Sequence, residues 1–128
     1  MIVIEDGFYT NPEWVREYAL SLDYNVFGNY PGGRSEPVDP EWSLKLKGHL
    51  ESLLNKKISY WPEQYNTAFQ YTTESDTTWV HRDATEYAAV VYLTPDAPLD
   101  SGTSLFQHNE SKIMRKEPWH EIDYNEEE

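Results

Sequence analysis

The chain contains no cysteine. That one absence excludes a disulfide scaffold, a thiolate nucleophile and a cysteine-ligated zinc site. Basic residues are scarce: 10 Lys and Arg stand against 23 Asp and Glu in 128 residues, a formal net charge of −13. Nucleic acid and anionic membrane surfaces are both recognised by clustered cations, so neither is an expected partner. No apolar run approaches the roughly 18 residues that a membrane-spanning helix needs. The first residues, Met1-Ile-Val-Ile-Glu-Asp6, turn acidic too soon for a signal peptide. A cytoplasmic protein is the expectation. There is no Gly-x-Ser-x-Gly elbow, no phosphate loop and no Cys–His pair, so acyl and phosphoryl transfer have no apparatus. No internal repeat is visible.

What the chain does have is rings. Aromatic residues make up 15% of it, with ten Tyr and five Trp, side chains that suit the lining of a cleft. The length suits one domain, 1–128, with a helical part over 1–57 and a β core over 58–128 that closes in an acidic tail. Ile2–Ile4 reads as an edge strand. Asn11-Pro12 supplies a side-chain N-cap and a proline at the first helical position, and Trp14, Val15, Tyr18, Ala19 and Leu22 follow at helical spacing. This predicts a helix over Pro12–Leu22. Asp39-Pro40 opens a second helix in the same way, reaching about Asn55, with His49 on it in a surface or capping role. Between them, Asn29–Ser35 reads as a loop, with a proline and two glycines. Arg34 is the one basic residue there, either simply exposed or reaching a carboxylate or substrate. From Ile58 the pattern turns to β, with strands expected near 65–73, 77–83, 87–94 and 104–107.

The chemistry concentrates in Thr77-Thr-Trp-Val-His-Arg-Asp-Ala84. Side chains alternate faces along a strand, so His81 and Asp83 point one way and Arg82 the other. Trp79 shares their face. An imidazole beside a carboxylate offers two adjacent ligands to a divalent metal, and a 2-His-1-carboxylate face with open positions is the geometry of non-haem Fe(II) oxygenases.

At His81-Arg82-Asp83 the sequence resembles the 2-oxoglutarate/Fe(II)-dependent dioxygenases, in particular their prolyl-4-hydroxylase-like branch. Tyr71 stands ten residues before His81, where the family often places a tyrosine that contacts 2-oxoglutarate. Val90-Val91-Tyr92-Leu93 follows at the spacing of the family's next core strand, whose tyrosine commonly faces the cosubstrate. Ser101-Gly102-Thr103-Ser104-Leu105-Phe106 looks like the family's Gly-Gly-x-Thr-x-Phe strand, with serine for the first glycine. The resemblance covers Tyr65–His108. It implies a mainly β (α+β) fold, a double-stranded β-helix or jelly roll preceded by two helices. It implies Fe(II) as cofactor and 2-oxoglutarate as cosubstrate, with His81 and Asp83 as metal ligands and Tyr71 and Tyr92 as cosubstrate contacts. The implied activity is hydroxylation of a small molecule or a peptide, with succinate and CO2 as co-products. Tyr71 and Tyr92 also fit a plain reading as core tyrosines.

The chain departs from the pattern in its distal part. The family's second histidine lies well downstream and is followed by an arginine or lysine that pairs with the far carboxylate of 2-oxoglutarate. Here His108 is 27 residues beyond His81 and His120 is 39 beyond, and neither is followed by a basic residue at the family spacing. The third ligand is therefore His120, His108 or absent. The expected strand set is also thin, which reads as a C-terminal truncation or as closing strands supplied from elsewhere, a homodimer being one way to cover an open sheet edge. The alternative to an enzyme is a non-catalytic jelly-roll binding module with a vestigial metal site.

Overall fold

The computed structural model describes residues 1–64 and 66–107. Asn11 and Asp39 start the two helices as local capping predicts. The Asn11 Oδ1 accepts the Trp14 N–H at 3.1 Å and Asp39 Oδ1 accepts the Trp42 N–H at 2.9 Å, each satisfying a donor the first turn leaves unpaired. Helix α1 spans Pro12–Leu20, and α2 spans Pro40–Leu54. Leu22 lies beyond α1, which closes at Ser21. Asn55 takes the left-handed conformation at φ 51° and ends α2, a position asparagine tolerates better than most residues.

The chain divides into two compact units, 1–77 and 78–128. The first unit holds both helices and the one sheet among the described residues. Strand β1, Gly33–Arg34, pairs antiparallel with β2, Gln70–Tyr71, in the register Gly33↔Tyr71 and Arg34↔Gln70. Val26 joins Arg34 from the other side through a reciprocal pair of backbone bonds, 2.9 and 3.1 Å long. Gly32 enters β1 at φ +71°, and a Cβ there would stand 1.8 Å from the Tyr71 carbonyl oxygen, so both conformation and space require glycine.

The core of this unit is small and partly polar. Val15 and Ala19 bury the inner face of α1. Ser35 is buried beside the sheet, where its Oγ accepts the Phe69 N–H at 3.0 Å and donates to the Glu36 carbonyl at 2.9 Å. Ser43 is buried on α2 and accepts the Trp61 indole N–H at 2.9 Å. Both hydroxyls are satisfied, as buried polar groups have to be. Around them the rings form one connected cluster. Trp42 lies 5.3 Å from Tyr18 and 6.0 Å from Phe69, and Tyr18 stacks on Trp14 at 5.7 Å, so α1, α2 and the approach to β2 meet through aromatic contacts. Burial raises the hydroxyl of Tyr9 above the ordinary tyrosine value against a hydrogen bond with Trp42. Desolvation does the same to Tyr24, which donates to the Ala19 carbonyl at 2.8 Å.

The mainly β double-stranded β-helix is overturned. Among the described residues there are two helices, one two-stranded sheet and one isolated bridge, and no jelly roll. The stretches 77–83, 87–94 and 104–107 carry strand-like residues but no strand, and Ile2–Ile4 is likewise outside any sheet. Of the described residues in 65–73, only Gln70–Tyr71 pairs in a strand. The physical reason is that β-propensity expresses itself through neighbours: a pleated segment needs cross-strand partners and a covered face, and among the described residues the unpaired stretches have neither. Val90 and Tyr92 remain 64% and 63% exposed where a doubly covered strand would bury them. No described helix is long and apolar enough to cross a membrane.

Candidate functional site

In the second unit, residues 78–83 run without regular structure, yet they deliver the arrangement that alternation predicts. His81 and Asp83 turn to the same side, with Nε2 of the imidazole 3.5 Å from Oδ1 of the carboxylate. The other ring nitrogen, Nδ1, lies 3.2 Å from the Trp79 carbonyl oxygen. In the Nδ1–H tautomer the ring donates to that carbonyl and turns the Nε2 lone pair to the side of Asp83. Metal-binding histidines are commonly prepared in this way, with one ring nitrogen tethered to a backbone carbonyl and the other left to the ion. The Trp79 ring stands 6.4 Å from the imidazole and walls one side of it.

This donor set fits a divalent ion. Bonds to imidazole and carboxylate run about 2.0–2.2 Å, so two donor atoms 3.5 Å apart can share one ion. Imidazole with carboxylate is also the mixed set that Fe(II) accepts. Both side chains are more than half exposed, so as a simple ion pair the two contribute little to stability. Among the described residues no group of three or more His, Asp or Glu gathers around a common point. His108 and His120, the two candidates for a third ligand, lie outside the described residues.

The two tyrosines differ in setting. Tyr92 belongs to the same unit as the His–Asp pair, and its hydroxyl is hydrogen-bonded to Thr103 Oγ1. That bond ties the Val90–Leu93 stretch to the Ser101–Phe106 stretch, the two segments that carry the resemblance after the metal motif. Gly102, within the second of these stretches, sits at φ +117°, a conformation that favours glycine. Tyr71 belongs to the first unit. It lies in β2 opposite Gly33 and packs edge-on against Tyr24 at 5.3 Å, so its ring serves the sheet.

Arg34 and His49 are taken up by packing. The Arg34 guanidinium lies 3.7 Å over the Tyr30 ring, and its Nε donates to Gln70 Oε1 at 2.9 Å. Gln70 in turn donates to the Pro31 carbonyl at 2.8 Å, which pins the turn into β1. Arg34 thus lies in a strand, and the expected Asn29–Ser35 loop ends in β1. His49 stacks on Phe8 at 4.3 Å and meets Glu5 Oε2 at 3.1 Å, fastening the N-terminal segment to α2. Two features escaped the sequence reading. The Trp79 carbonyl as the imidazole's anchor leaves no mark in residue identity, and the Ser43–Trp61 bond joins residues 18 apart. No family model, no curated protein and no solved structure matches the chain.

Proposed function

We propose that the chain is a 2-oxoglutarate- and Fe(II)-dependent oxygenase, acting on a small molecule or a peptide in the cytoplasm, with His81 and Asp83 as two of its metal ligands. The observation that carries this reading is the tethered imidazole: Nδ1 bonded to the Trp79 carbonyl, and Nε2 facing Asp83 across 3.5 Å. With O2 as the oxidant, bound Fe(II) and 2-oxoglutarate would supply the hydroxylation of a substrate C–H bond, one oxygen atom going to the substrate and the other to succinate as CO2 is lost. The chain's own part is to hold the ion through His81 and Asp83, to fix the imidazole tautomer through Trp79, and to present the Tyr92 hydroxyl as a donor to the cosubstrate carboxylate.

The test is an anaerobic Fe(II) titration of the whole chain with 2-oxoglutarate present, read by the weak visible charge-transfer band of the chelate. The expected result is a band that is absent in His81→Ala and in Asp83→Ala. A chain that is folded by circular dichroism and gives no band overturns the reading. The exposure of both ligands favours a second reading, a metal-binding module without turnover. The two separate on succinate: a band without succinate formation in air supports the module.

A further inference from the structure

A cleft of about 420 Å³ opens beside α1 and α2 in the first unit. Three rings line it. Tyr9 and Trp42 meet at 78° with centroids 6.4 Å apart, and Trp14 and Trp42 meet at 41° with centroids 6.1 Å apart. Asp39 and Glu41 add carboxylates, and Lys45 adds one ammonium group. Trp14 stands beside the buried Val15 on α1, yet it is 55% exposed. A large ring held at the mouth of a cleft on a capped helix is an unusual use of tryptophan unless something covers it.

The geometry points to a methylated or quaternary ammonium ion as the ligand. Three aromatic side chains line the cleft, and an aromatic face holds a cation over roughly 6 Å. The rings select for type as well as charge. Ca²⁺ and Mg²⁺ take shells of hard oxygen donors, which indole and phenol faces do not provide, whereas a methylated ammonium carries its charge on an apolar shell. Two carboxylates against one ammonium leave the cleft acidic, within a chain that is itself strongly acidic. The Lys45 ammonium is already committed to Glu41 at 3.4 Å. Asp39 accepts the Trp42 N–H through Oδ1 as the α2 N-cap, which fixes its carboxylate at the cleft. The ligand is a small free amine or the methylated side chain of a peptide, since both present the same head.

Choline is the probe, and neohexanol is its control: the same shape, with carbon in place of the charged nitrogen. The titration follows tryptophan fluorescence of the whole chain and is checked by ligand-observed NMR. The expected result is saturable choline binding in the millimolar range, about tenfold tighter than neohexanol. Trp42 also packs on Tyr18 and Phe69, so its removal risks the fold. Trp14→Ala is the informative variant, expected to weaken choline about tenfold with an unchanged circular dichroism spectrum. Lys45→Met removes the competing cation and tightens choline about two- to threefold. The proposal is overturned by the absence of saturation, by neohexanol binding as well as choline, by a Trp14→Ala chain that binds choline normally, or by Lys45→Met weakening it. Once choline binds as expected, a trimethyl-lysine peptide that binds tighter than choline assigns the ligand to protein, and equal binding assigns it to a free amine.

Discussion

The two units hold their residues by different means. In 1–77, each helix starts on its own side-chain cap, the buried hydroxyls of Ser35 and Ser43 find partners, and the sheet joins residues nearly 40 positions apart. In the described part of 78–107 no residue is buried: Val80 and Leu93 are intermediate and the rest are exposed, Trp79, Leu105 and Phe106 among them. His81, Thr85 and Ser101 bond to groups two or three residues away, and the bond between Tyr92 and Thr103 spans eleven. The difference teaches that ring content and β-branched residues do not by themselves make a core. Burial needs a second surface, and the first unit has one because two capped helices present rings to each other.

The contrast breaks or sharpens first at Gly32. A methyl group there meets the Tyr71 carbonyl in a left-handed backbone that side chains disfavour, so Gly32→Ala is expected to cost about 3 kcal/mol or more and to separate β1 from β2. Urea denaturation followed by helical circular dichroism measures it, and a loss below about 1 kcal/mol would mean that the sheet does not hold this unit. Next comes Ser43→Ala. It leaves the Trp61 indole N–H without an acceptor in a partly buried site, with an expected loss of about 1–3 kcal/mol. Ser43→Thr, which keeps the oxygen, should recover part of it. Below these stands Asp39→Ala, which removes the α2 cap at a cost of about 1 kcal/mol, with Asp39→Asn close to wild type.

What was legible in the sequence follows the same division. Both helix starts could be read because a cap is decided within four residues: Asn11 and Asp39 need only the N–H groups of Trp14 and Trp42. Helix ends were read less well, since Leu22 matches the period but lies past the turn at Ser21. The strands were not legible, because a run such as Tyr87–Thr94 has strand composition whether or not another segment pairs with it. Arg34 was ambiguous for a related reason: its partner Gln70 lies 36 residues away. The His81–Asp83 juxtaposition could be read without a sheet, because two residues one apart on an extended backbone share a side whether or not a ladder forms. The anchor at the Trp79 carbonyl could not, since every residue has a carbonyl.

The smallest expected effect on stability is the one that joins this contrast to the site. Tyr92 and Thr103 are both exposed, so Tyr92→Phe removes a bond made in water and is expected to change unfolding by less than about 0.5 kcal/mol. If Tyr92 contacts 2-oxoglutarate, the same substitution raises the cosubstrate concentration that half-develops the charge-transfer band by about threefold to tenfold, the worth of one hydrogen bond to a carboxylate. Thr103→Val gives the complementary measurement. It breaks the bond to Tyr92 but leaves the phenol free to donate, so it should leave the band where it is or shift it slightly toward lower concentration. A large stability loss in Tyr92→Phe would show that the second unit is held by more than short-range ties, and the contrast between the units would fail. Unchanged stability with an unchanged band would leave the contrast standing and remove Tyr92 from the cosubstrate site.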